Sequence, residues 1–328
     1  MCLSFQRISA NSETGKTTVA RLYASFLASV GALPGSHFEE TTGSKLANDG
    51  VQGCKKILDD IKNAGGGALF IDEAYQLTSG NNPGGPGVLD FLLAEVENTT
   101  GKIAFILAGY NRNMEKSFAH NPGLPSRFPR QIQFADYEDN ELLEILNYGV
   151  DKRWYGSMVL EGGSRGLFAR IVARRVGYGR GKVGFGNARA VENALSKIAS
   201  RQAKRLRRER SKGKISDDFL LTKTDLIGTE PANVLSNDKA WKKLQELTGL
   251  ASVKDSIKAL FASLQYNYQR ELAEKPLMEV SLNKCFLGSP GTGKTTVAKL
   301  YGQVLANLGL LSTNEGISLS SPTATSLC

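Results

Sequence analysis

The feature that most narrows what this chain can fold into is a segment that occurs twice, TGKTTVARLY at 14–23 and TGKTTVAKLY at 292–301, differing only at Arg21 against Lys299. The likeness runs on into ASFLASVGAL at 24–33 and GQVLANLGLL at 302–311, so two modules of one kind stand in tandem. About thirteen residues precede the first copy and 27 follow Tyr301, so each module is expected to be partial.

The second copy opens GSPGTGKT at 288–295, a full match to GxxxxGK[ST], with apolar Cys285, Phe286 and Leu287 before it, expected as a strand, and a helical pattern over 296–308. A triphosphate is anionic and bulky. Gly288, Gly291 and Gly293 let backbone N–H groups approach it, a helix start aims its dipole at it, and Lys294 reaches the outer phosphates. Thr295, followed by Thr296, is placed to hold magnesium. The first copy keeps Gly15, Lys16, Thr17 and Thr18, but Ala10 replaces the opening glycine and Ser12-Glu13 replaces Pro-Gly. A carboxylate at Glu13 repels phosphate, and residues 1–9, interrupted by Ser4, Gln6 and Arg7, make a poor buried strand. Either this loop is degenerate or the natural chain begins differently.

GGGALFIDE at 65–73 sets four apolar residues before two carboxylates, the pattern of a buried parallel strand ending at the ligand edge of an α/β sheet. Asp72 is expected to hold magnesium with Thr17, and Glu73 to orient or deprotonate the attacking water. A second buried strand, IAFILA at 103–108, leads to Asn111, which is expected to sense the terminal phosphate. NPGLPSRFPR at 121–130 carries two arginines. Arg127 is the candidate to stabilise charge in phosphoryl transfer from a neighbouring subunit, a surface salt bridge being the alternative.

Composition removes other classes. With 41% hydrophobic and 22% charged residues in 328, the chain is a globular protein rather than a disordered one. No run reaches the roughly 18 apolar residues of a membrane span, and residues 1–10 lack signal-peptide character, so no membrane role and a cytoplasmic or nuclear address are expected. Cys2, Cys54, Cys285 and Cys328 form no CxxC pair, and His37 and His120 stand far apart, so neither a disulfide framework nor a zinc site is expected. Much of the net charge of +9 lies within 165–214, where Arg201, Lys204, Arg205, Arg207, Arg208, Arg210, Lys212 and Lys214 crowd a helix end. No aromatic residues interleave with them, which favours a solvated face over a nucleic-acid platform.

GKTT at 15–18, LFIDEAY at 69–75, ILAGY at 106–110, NPGLPSRFP at 121–129 and GFGNARAVENAL at 184–195 together resemble the CbbX and stage V sporulation protein K branch of the AAA+ ATPases. The likeness covers 14 to about 210 and resumes from about 239 to 311. It implies an α/β fold: a P-loop NTPase parallel sheet flanked by helices with a small all-helical lid, followed by the start of a second P-loop module. It also implies ATP and magnesium as cofactors, hexameric rings with sites at subunit junctions, and an ATP-driven change in a protein partner. On the matching positions, Lys16 and Thr17 belong to Walker A, Asp72 and Glu73 to Walker B, Arg127 is the arginine finger and Arg189 the lid arginine called sensor 2. The expected organisation is a nucleotide-binding core over 1–137, a lid over 138–210, a linker over 211–238, and lead-in helices with a second Walker A over 239–328. The sequence SKLANDGVQG at 44–53 lacks the aromatic residue with which threading members grip polypeptide. A non-hydrolysing, nucleotide-responsive scaffold and a nucleic-acid motor are the competing readings.

Overall fold

A computed structural model describes residues 5–9, 14–79, 83–182, 184–232 and 238–308. The expectations for Ala10, Ser12 and Glu13 concern positions outside the described residues. The chain divides into two compact units, residues 1–156 with 173–196, and residues 157–172 with 197–328.

The first unit is built on a five-stranded sheet of order β2-β3-β4-β1-β5, with β1 Phe5–Ser9, β2 His37–Thr42, β3 Gly67–Asp72, β4 Ile103–Gly109 and β5 Arg130–Gln133. Every pairing is parallel. Parallel strands need helical crossovers, which cover both faces of the sheet, so its middle strands read as continuous apolar runs. The pleat still sorts them. Leu69, Ile71, Ile103, Phe105 and Leu107 join one core, whereas Ala68, Phe70, Ala104, Ile106 and Ala108 join the other.

The first core is closed by α2 (Gly43–Asn63) and α3 (Gly85–Asn98) through Leu46, Leu58, Ile61, Val88, Leu92 and Val96. The second is closed by α1 (Lys16–Ser29) through Ala20, Ala24 and Leu27. Thr42 ends β2 and caps α2, its hydroxyl accepting from the Lys45 N–H at 3.2 Å. Gly67 is required at the start of β3, because a Cβ there would lie 2.0 Å from the carbonyl oxygen of His37.

Residues 1–9 correct an expectation. They contain β1, and β1 sits inside the sheet between β4 and β5 with Ile8 buried. Ladder pairing uses backbone groups, so Gln6 and Arg7 did not prevent it. After α4 (Asn111–His120), α5 (Gly123–Arg127) and β5 comes α6 (Asp139–Trp154), opened by a capping box between Glu138 and Glu141.

The division between the units falls within α7 (Leu167–Gly177) and α8 (Ala188–Ser211). In the second unit β6 (Val159–Leu160) pairs in parallel with β7 (Leu220–Leu221), a small strand pair that the all-helical expectation did not include. Next to it, α9 (Lys223–Ile227) is pinned to α8. Buried Asp225 accepts from the Arg205 Nε at 2.9 Å, and Arg201 donates to the carbonyls of Asp225 and Leu226. Further on, α10 (Lys239–Glu246), α11 (Ala251–Leu272) and α12 (Lys294–Asn307) share a core of Ala240, Leu244, Ile257, Leu260, Phe261, Val297 and Tyr301. Residues 285–287, expected as a strand, make no β-pairing, and Leu287 is exposed. A parallel strand exists only against a neighbour, and among the described residues none pairs with it.

Candidate functional site

At the carboxyl edge of the first unit's sheet, register brings Thr42 beside Asp72 and Ser9 beside Gly109. The order of strands reverses around β1, and in open α/β sheets such a switch point opens the crevice that takes ligands. Gly15 caps α1 at φ 84° and ψ 17°, a left-handed conformation that lets the loop turn directly into the helix. Lys16, Thr17 and Thr18 therefore form the helix's first turn, where N–H groups have no intrahelical acceptor and face an incoming anion. Lys16 Nζ lies 5.9 Å from the Tyr110 ring centre, and the Thr17 hydroxyl donates to Glu40 at 3.5 Å. Thr18 is exposed.

Asp72 ends β3 half-buried, with Oδ1 accepting the Glu73 N–H at 2.9 Å. Glu73 adopts φ 49° and ψ 38°, sparsely populated for a residue with a Cβ, and its carboxylate accepts from the Gln76 amide. Gly43 passes close to this turn, where a Cβ would lie 2.6 Å from the Glu73 carbonyl oxygen. Tyr75, ring-paired with Tyr110 at 6.2 Å, has its hydroxyl pKa pushed up by burial and further by Glu73.

Asn111 begins α4 immediately after β4, and its Oδ1 is buried without a hydrogen-bond partner. An orphaned acceptor of this kind is costly unless a water or ligand group satisfies it. That orphan, the left-handed glycine before Lys16 and the hard oxygens of Thr17 and Asp72 fit magnesium and a triphosphate. Among the described residues no group of three or more histidine, cysteine or acidic side chains is placed to hold a metal. Magnesium takes one or two protein oxygens and completes its shell with phosphates and water.

The expected finger is turned inward. Arg127 donates from Nε to the Leu93 carbonyl at 3.1 Å and lies 2.8 Å from the Glu97 carboxylate, both on α3. Arg189 is exposed in the first turn of α8. Just before it lies a joint that the sequence reading missed. Fully buried Asn187 accepts from the Tyr137 N–H and donates to Asp136, both at 2.9 Å, while the Tyr137 hydroxyl donates to the Thr14 carbonyl at 3.0 Å. Arg180 donates to the Tyr137 carbonyl and to Asp139. Burial raises the Tyr137 pKa, with Glu141 adding to it. The GNAR segment at 186–189 was the available signal, an asparagine directly before a long helix.

In the second unit Gly288, Gly291 and Gly293 all have positive φ, at 156°, 80° and 81°. Lys294 Nζ donates to the carbonyls of Gly288 and Ser289 at 2.8 and 2.7 Å, and Thr295 and Thr296 are exposed.

Residues 8–136 match the family model described as "ATPase family associated with various cellular activities (AAA)", and residues 138–236 match an AAA lid domain. The chain belongs to the AAA ATPase family. Within it, the chain is 38% identical over 200 residues to Protein CbbX of Cereibacter sphaeroides, covering 60% of this chain and 62% of that one. It is 34% identical over 227 residues to a chloroplastic ribulose bisphosphate carboxylase/oxygenase activase of Cyanidioschyzon merolae, covering 68% and 73%. It is 35% identical over 199 residues to Stage V sporulation protein K of Bacillus subtilis, covering 60% of each. These place it in the CbbX and sporulation protein K branch of AAA ATPases, enzymes that use ATP and magnesium. The family's parallel P-loop sheet is the one described above. Among the described residues, no helix of this AAA protein is long and apolar enough to cross a membrane.

Proposed function

We propose that the first module hydrolyses MgATP and couples turnover to remodelling of a protein partner within a self-assembled ring. The observation that carries this reading is the sheet edge where Asp72 and Glu73 leave β3 and Asn111 leaves β4 with an unsatisfied acceptor. Gly15, Lys16, Thr17 and Thr18 bind the phosphates, and Thr17 and Asp72 hold magnesium. The ion screens phosphate charge. Glu73 orients and deprotonates the water, its carboxylate leaving Gln76 to do so, and Asn111 fixes that water's position. Arg189 reports the nucleotide to the lid.

Arg127 acts on a neighbouring subunit's site, which requires it to leave Glu97 and Leu93. Assembly, a hexamer by family resemblance, supplies the competing anion. A protein as partner is supported by the activase named among the relatives. Gly288, Gly291, Gly293, Lys294, Thr295 and Thr296 form a second phosphate-binding loop, with Thr295 as magnesium ligand, that no Asp-Glu strand end accompanies among the described residues.

The inward Arg127 favours one other reading, a nucleotide-responsive scaffold that does not turn over. A nucleic-acid motor gains less support, because Arg201, Arg205 and Arg210 of the basic run over 201–214 are engaged with Asp225, Leu226, Glu209 and Asp218. The deciding experiment is magnesium-dependent ATP hydrolysis across a range of protein concentrations, with Glu73→Gln beside the parent chain. Turnover rising with concentration and absent in the variant fits the remodeller; nucleotide binding without turnover at any concentration leaves the scaffold.

A further inference from the structure

The internal repeat supplies a comparison within one chain. Helices α1 and α12 align without a gap, so Val19, Leu22, Phe26 and Val30 correspond to Val297, Leu300, Val304 and Leu308. Steps of three and four residues set each quartet along one helix face. On α12 that face is covered. Val297 and Val304 are 1% and 2% exposed, Leu300 and Leu308 pack on the same core, and that core takes in Leu244, Ile257, Leu260 and Phe261 of α10 and α11.

On α1 the same face is bare. Val19, Leu22, Phe26 and Val30 are 37%, 65%, 57% and 54% exposed, while the opposite side, Ala20, Ala24 and Leu27, is buried on the sheet. Single exposed apolar side chains are ordinary, but a contiguous stripe marks an interaction surface. Ser25 and Ser29 lie between its members, so the stripe offers no charge for an ionic partner.

We propose that this face of α1 docks an amphipathic helical pair of the kind formed by residues 239–272: apolar positions of leucine, isoleucine and an aromatic ring turned inward, lysines outward. The occupant is identified by what covers the equivalent face, since two of four contact residues are identical between the copies and the other two remain apolar. Docking of this kind is a helix-in-groove contact read at i, i+3, i+7 and i+11. It depends on no nucleotide chemistry and stands apart from the proposed turnover.

The probe is a fluorescently labelled peptide of residues 238–273, titrated by anisotropy into the full chain and into Leu22→Ser/Phe26→Ser, with Val30→Ser as a second variant should the double one fail to fold. The expected result is saturable binding that weakens at least about tenfold in the variants, and no binding by a peptide carrying Leu244→Ser and Phe261→Ser. Equal binding to parent and variants, or none to either, overturns the proposal. So does a parent chain that ignores the peptide and self-associates through α1, with the variants monomeric, because the face then belongs to a second copy.

Discussion

The two copies of the repeated segment start their helices in the same way and differ in everything around them. Gly15 and Gly293 cap α1 and α12 with nearly identical left-handed geometry, and each helix is fourteen residues long. Around the first loop a parallel sheet delivers Asp72, Glu73 and Asn111 to one edge. Around the second, lead-in helices share a core with α12, and Lys294 closes on its own loop carbonyls. A local motif fixes the glycine-capped helix start; the carboxylates and the amide beside the first one come from strands distant in sequence.

The comparison breaks most sharply at Glu73. Glu73→Gln should lower ATP turnover about a thousandfold while nucleotide binding survives, measured by steady-state hydrolysis beside equilibrium binding; surviving turnover would move catalysis away from the first loop. Next come the lysines. Lys16→Ala should weaken nucleotide binding by about ten- to a hundredfold, the loss of a charge-assisted contact worth roughly 1.5–3 kcal/mol, and lower turnover with it, whereas Lys294→Ala should leave turnover unchanged.

A smaller effect separates the two helices. Val297→Ala removes a buried side chain and should cost roughly 1.5–3 kcal/mol of its unit's stability, while Val19→Ala, at the aligned position, should cost less than about 0.5 kcal/mol. Denaturant unfolding of both variants checks this.

A last contrast concerns the two described cysteines. Burial, helped by Glu95, pushes the Cys54 thiol up to about 12 from its ordinary 9.0, whereas Cys285 is exposed. The folded state therefore holds the Cys54 proton more tightly than the unfolded one. Its contribution to stability is full below pH 9.0 and is lost as pH rises towards about 12. Unfolding free energy followed against pH should lose that slope in Cys54→Ala, and alkylation should reach Cys285 at once and Cys54 only as the first unit opens.

What the sequence made legible was local. GALFID and IAFILAG announce buried strands because both faces of a parallel strand are covered, and Asp72 and Glu73 follow at the expected edge. β1 was not legible, since its place comes from backbone pairing with β4 and β5 rather than from side chains. The hold on Arg127 joins α5 to the end of α3, a contact between residues thirty and more apart in sequence that no periodicity encodes. The β6-β7 pair is two residues deep on each side and leaves no pattern to find. Asn187 was visible as a residue, but its burial between Asp136 and Tyr137 was not.

That last arrangement has a consequence for energy flow. Tyr137 holds the phosphate loop at Thr14 with its hydroxyl and the start of α8 with its backbone, through Asn187. Two hydrogen bonds thus place one residue in series between the anion cradle and the long helix, like a single link in a chain under load. For the nucleotide site proposed above, linkage makes such a link work in both directions: whatever free energy a bound nucleotide would spend on the helix, an external force on that helix would return as a change in how tightly the nucleotide is held.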